Sequence, residues 1–168
     1  METLIIVFVV LSLLGSVFWA MPTRRQKEQG ALRMKARNLG LQTRMERLTF
    51  PRAKGEVEEE TRQLMAYRML RDNIDRKAAT QRPSWLICQA DSMKNVDLPE
   101  GWSWKVGESE LSESSLAYIE NLVPNLPKGV LAIESSPLYV AFYWDERGGE
   151  AVLDTMAEQI TALLKDKV

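Results

Sequence analysis

Histidine is absent from the 168 residues, and cysteine occurs once, at Cys88. A single thiol forms no internal disulfide, so no stapled framework is available. Zinc sites built on Cys and His have no ligand set here, and Ser-His-Asp and Cys-His catalysis cannot be assembled within the chain. No Gly-rich phosphate loop occurs. Low-complexity segments and repeats at solenoid spacing are missing as well.

What remains is carboxylate, aromatic and basic chemistry: 23 Asp and Glu, 22 Lys and Arg, and five Trp. The net charge of −1 hides a strong division along the chain. Residues 22–54 hold ten basic residues against two Glu, a net of +8. Residues 55–82 are balanced, and residues 83–168 hold six basic and fourteen acidic residues, a net of −8.

Leu4–Met21 is an uncharged, mostly apolar stretch of about eighteen residues, close to a bilayer's hydrocarbon thickness. It predicts a single transmembrane helix over residues 1–21, not a cleaved signal peptide. The residue before the run is the acid Glu2, and a cut after Ala20 would put bulky Phe18 at the third position. Arg24, Arg25, Lys27, Arg33, Lys35 and Arg37 follow, so the positive-inside rule puts the amino terminus outside and the rest in the cytoplasm. An unpaired Cys88 suits that reducing compartment. The expected location is a bacterial inner membrane with the soluble part facing inward.

The same six basic residues, on a juxtamembrane helix within 22–54, are candidates for anionic lipid headgroups; retention of topology alone is the competing explanation. No aromatic residue interleaves with these charges before Phe50, which argues against nucleic acid. The basic and acidic blocks could also dock on one another, with Arg33, Lys35 and Arg37 in the contact.

Helical spacing links Leu32, Ala36 and Leu39, and Gly40 is a natural stop. "LQTRMERLTF" predicts a strand ending at Pro51, and "PRAKG" a turn. In the connecting segment 55–82, Leu64, Tyr67, Leu70 and Ile74 fit a helix face, whereas Met65, Tyr67 and Met69 fit a strand face. The Glu run favours a helix at its start, and 64–70 stays open. From Ser84 onward the pattern is β-β-α-β-β-α: "SWLICQA", "WSWKV", a helix near "SELSESSLAYIENLV", "GVLAIESS", "LYVAFYW", and an amphipathic helix bearing Val152, Met156, Ile160, Leu163 and Leu164. The fold class is α+β: a mostly antiparallel sheet of four to six strands packed with two helices, forming an acidic domain over 83–168.

Candidate chemistry is sparse. Glu134 and Asp145 could flank a site, but acid/base work needs one of them buried. Ser109 and Ser112 read as helix caps. Trp85, Trp102, Trp104 and Trp144 read as core, with Trp102 or Trp104 following the turn "LPE" and available to a partner. Cys88 reads as a buried, inert thiol. No cofactor and no metal is implied.

The beginning of the chain, an apolar run followed by "MPTRRQKEQ", resembles the small accessory subunit of the bacterial Sec preprotein translocase (the YajC family). The resemblance covers about a fifth of the chain, and the family's small Gly-containing β domain is replaced here by the basic block and the Trp-rich acidic domain. It implies an anchored, inward-facing accessory protein and assigns no residue a role. The expected function is a non-enzymatic accessory or scaffold that presents its α+β domain to a membrane complex or a soluble partner. The alternative is a tethered enzyme or small-ligand sensor using carboxylates and the Trp cluster.

Overall fold

The computed structural model describes residues 2–72 and 82–165. The chain divides into two units, Met1–Ala31 and Leu32–Val168.

The first unit holds helix α1 (Glu2–Ala20) and the start of α2 (Arg24–Asn38). The span expected over 1–21 is not found: among the described residues no helix is long and apolar enough to cross a membrane. Helix α1 has 19 residues and begins with the polar Glu2 and Thr3, and Met21 lies beyond its end. At 1.5 Å per residue the apolar remainder rises about 25 Å, against about 30 Å of hydrocarbon. The single membrane crossing is thereby overturned, and the orientation deduced from it loses its basis.

The second unit is α+β. Its sheet comprises β1 (Gln42–Thr49), β2 (Thr61–Leu70), β3 (Trp85–Gln89), β4 (Trp102–Val106), β5 (Val130–Ser135) and β6 (Tyr139–Trp144), in the order β1-β2-β6-β5-β3-β4. Every pairing is antiparallel. Helix α3 (Glu113–Leu122) lies between β4 and β5 in sequence, and α4 (Glu150–Lys165) follows β6. Among the described residues there are four α-helices: α1, α2 and the two expected to accompany the sheet.

Helix α2 stops where its sequence says it should. Leu41 N–H donates to Ala36 C=O at 2.9 Å and Gly40 N–H to Arg37 C=O at 3.0 Å, the paired bonds of a Schellman turn. That turn needs a left-handed residue, and Gly40 supplies it at φ +81°. Leu41 is buried behind it, and β1 begins at once.

The helix favoured at the start of the connecting segment does not form. Residues 61–70 are β2, lying between β1 and β6. Met65 and Tyr67 face one core, and Leu64 and Ala66 face the other. A strand buried on both sides has apolar residues at consecutive positions, which helical spacing also accommodates; pairing on both edges decides the matter. Ile74, part of the supposed helix face, lies outside the described residues.

The two sheet faces differ. One is covered by helices: Tyr67, Trp85, Ile87, Trp104, Ile133, Phe142 and Trp144 pack with Leu32 and Ala36 of α2, Ile119 of α3, and Leu153, Met156, Ile160 and Leu163 of α4. The opposite face carries Leu48, Phe50, Leu64, Ala66, Cys88, Ala132, Ala141 and Tyr143, with no helix residue among them. Helix α3 is capped by Ser112, whose hydroxyl accepts from Ser115 N–H at 3.3 Å. Ser109, the other candidate cap, sits outside the helix with φ +67°.

Candidate functional site

On the face opposite the helices, strand register gathers two carboxylates, two phenols and a guanidinium from four strands. Ala66 of β2 pairs with Tyr143 of β6, Arg68 with Ala141, and Ala141 in turn with Glu134 of β5. The small side chain at Ala141 leaves room around it. Tyr139 and Tyr143, two positions either way along β6, lean toward Glu134 across that gap. Tyr139 Oη donates to Glu134 Oε1 at 2.9 Å. Tyr143 Oη lies 2.6 Å from Glu134 Oε2 and 3.0 Å from Glu46 Oε2 of β1.

A phenol carries one proton and can donate it to one carboxylate. The shorter contact makes Glu134 the acceptor, which leaves Glu46 facing the phenol oxygen's lone pairs. Arg68 Nη1 stands 3.5 Å from Glu46 and Arg44 Nε 3.8 Å, both ion-pair and not hydrogen-bond contacts. The Arg68 guanidinium rests 5.2 Å over the Tyr139 ring, and its Nε has no hydrogen-bond partner among the described residues. The cluster therefore keeps both spare acceptor and spare donor capacity. Burial is the main cause that lifts both phenol pKa values, with Glu134 adding to it; Tyr139 reaches about 12, and Tyr143 is raised further. Both phenols stay protonated donors through the neutral range.

A second carboxylate site fixes α2 to the sheet. Arg33 grips Glu146 with two bonds of 2.8 Å, from Nε and Nη2, and Tyr67 Oη donates to Glu146 Oε1 at 2.9 Å. Only 4% of the Glu146 side chain is exposed. The hydrogen bond from Arg33 to Glu146 raises the Arg33 pKa. Burial, then Glu146, raises that of Tyr67. Lys35 adds contacts to Glu150 at 3.1 Å and Asp154 at 2.7 Å. The basic and acidic blocks thus meet through Arg33 and Lys35, while Arg37 stays exposed.

The remaining candidates fall as follows. Arg24 pairs with Glu28 at 3.0 Å, and Arg25 and Lys27 are exposed. Of the six residues offered to lipid, Arg33 and Lys35 are thus engaged with acids of the same chain. Trp102 and Trp104, offered to a partner, are both buried, and Trp104 Nε1 donates to Val96 C=O at 2.8 Å. The four strand tryptophans all lie in the helix-side core. Cys88 is fully buried, and burial pushes its thiol up to about 12. Asp145 accepts from Arg147 N–H at 3.0 Å. Among the described residues no group of three or more His, Cys, Asp or Glu could hold a metal ion.

Glu46, Arg68, Tyr143, Glu146 and Tyr67 carry these sites and were not singled out from the sequence as site residues. One signal was present: Tyr139, Ala141 and Tyr143 alternate along "LYVAFYW", which in a strand puts two phenols and a gap on one face. Comparison with protein-family models, curated proteins and solved structures gives no match.

Proposed function

We propose that the chain is a non-enzymatic scaffold whose sheet face opposite the helices docks a protein partner through a cationic segment. The observation that supports this is the Glu46–Tyr143–Glu134 arrangement, in which the one phenol proton goes to Glu134 and Glu46 receives none from it. A Lys or Arg side chain from a partner would supply the missing donors. Tyrosine and arginine held on rigid strands are the residue types that concentrate binding energy at interfaces. The accessory role implied by the Sec-subunit resemblance agrees with such a module, and so does the net charge of −8 over 83–168.

A photo-crosslinking residue at Leu86, half-buried beside this face, tests the proposal in cells, with the exposed Glu158 on α4 as control. Adducts are expected from position 86 and not from 158, and they should disappear with Glu46→Lys and Glu134→Lys. Equal adducts from both positions, adducts indifferent to charge reversal, or an adduct containing only a second copy of the chain would each refute it.

A further inference from the structure

Strand β1 is an edge of the sheet, and among the described residues no strand pairs with its outer side. Phe50 N–H donates to Glu60 C=O at 2.8 Å, in line with the β1–β2 register that pairs Thr49 with Thr61. Backbone groups alternate sides along an antiparallel strand. The N–H and C=O groups of Arg44, Glu46 and Leu48 therefore face β2, and those of Thr43, Met45 and Arg47 face outward. The eight-residue strand contains no proline or glycine, its pairing with β2 runs without a register shift, and Met45 is 59% exposed.

We infer that β1 pairs with β1 of a second copy of this chain, antiparallel about a two-fold axis through Met45, to make one continuous sheet. The register follows from charge. Outward backbone groups must meet outward ones, so the axis can move only in whole-residue steps along the strand. Centred on Arg44, the pairing sets Arg44 against Arg44 of the partner subunit. Centred on Glu46, it sets Glu46 against Glu46 of the partner subunit. Centred on Met45, it sets Arg44 against Glu46 of the partner subunit, and the symmetry repeats that contact. The exposed methionines meet on the axis, and Thr43 exchanges backbone bonds with Arg47 of the partner subunit. Charged residues on an edge ordinarily oppose such pairing. Here the opposite signs stand two positions apart around an apolar centre, so they oppose the neighbouring registers and favour one. Arg44 and Glu46, 3.8 Å apart within one strand, would exchange that long contact for cross-strand partners. The interface also brings a closer cation to Glu46, the carboxylate that receives no proton from Tyr143 and only long ion-pair contacts from Arg68 and Arg44.

The test is sedimentation of the full chain over a concentration series. A reversible dimer is expected. Arg44→Glu alone and Glu46→Arg alone should each weaken it about tenfold, since each turns two attractive pairs into like-charge pairs. The double swap, Arg44→Glu with Glu46→Arg, should restore it. Met45→Pro should abolish it, because the lost N–H faces away from β2 and the β1–β2 ladder keeps its bonds. Should the reversals disturb the fold, Met45→Cys treated with a short bis-maleimide gives an independent measure. Buried Cys88 does not compete, so linkage is expected at position 45 and not at exposed position 138 when Leu138→Cys is used. A chain that stays monomeric, a dimer indifferent to Met45→Pro, or a double swap no better than the single reversals would overturn the inference.

Discussion

Glu146 offers the sharpest test of how α2 is held. Its carboxylate is almost fully buried, receives two bonds of 2.8 Å from Arg33, and accepts the Tyr67 hydroxyl at 2.9 Å. Breaking a fully buried pair by removing one partner costs about 3–5 kcal/mol. The Arg33 side chain is 36% exposed, so water recovers part of that cost, and about 2–3 kcal/mol is expected for Arg33→Ala. Glu146→Ala should cost somewhat more, because the hydroxyl of fully buried Tyr67 also loses its acceptor, about 1 kcal/mol. The double variant should cost less than the two singles together, a coupling of about 1–2 kcal/mol. Backbone strain adds an internal control. Glu146 has φ +58°, so Glu146→Gly should be about 1 kcal/mol less destabilised than Glu146→Ala although it loses the same contacts. Lys35→Ala should change stability far less, because both of its acids are largely exposed. Urea unfolding followed by tryptophan emission suits the measurement, since Trp144 meets the Tyr67 ring edge-on at 5.5 Å. A coupling between Arg33 and Glu146 below about 0.5 kcal/mol would refute the account of this contact as the clasp of α2.

The buried thiol and phenols set an alkaline limit. Cys88 and Tyr139 both have their pKa pushed up to about 12 in the folded chain. A group that holds its proton more tightly when folded contributes stability that is complete below its unfolded pKa. That stability drains as pH rises from the unfolded value toward the folded one. Stability should therefore decline from about pH 9 to pH 12, and phenol absorbance near 295 nm should rise together with unfolding rather than before it. For the same reason Cys88 should react with a thiol reagent at pH 8 only as fast as the chain opens. Two glycines of similar φ should respond differently to alanine. At Gly40 (φ +81°) a Cβ meets open space, and about 1 kcal/mol is expected from the backbone alone. At Gly107 (φ +85°) it would come within 2.7 Å of Trp85 Cβ and 2.8 Å of Ser84 C=O, so chemical denaturation should show a loss at least twice as large.

Local signals carried the acidic half of the fold. The order β-β-α-β-β-α is present from Trp85 to Lys165 because each element there has turn chemistry at its ends and a single clear period. Leu32, Ala36 and Gly40 placed α2 and its stop for the same reason. Failure came where a pattern had two solutions. In "QLMAYRML", apolar residues on both faces fit a helix and a doubly buried strand equally, and only the pairing partners β1 and β6 separate them. The strand expected at "LQTRMERLTF" is β1, and together with β2 it completes the sheet. The apolar start misled through length, since the helix opens on polar Glu2 and Thr3 and ends at Ala20, while the apolar stretch read as a span runs to Met21.

The candidate sites were hidden for a different reason. Glu46 and Arg68 are far in sequence from Glu134 and Tyr143, and all four are ordinary residues in their own segments; register brings them together. A one-residue slip of β6 would turn both phenols to the helix side and leave Glu134 without a donor. The apolar alternation that fixes register, Val140, Phe142 and Trp144 inward against Tyr139, Ala141 and Tyr143 outward, is therefore also what builds the site. Core and candidate function are specified by the same residues. A change such as Phe142→Ala should accordingly disturb the Tyr143–Glu134 contact from the opposite face of the sheet, without touching either group.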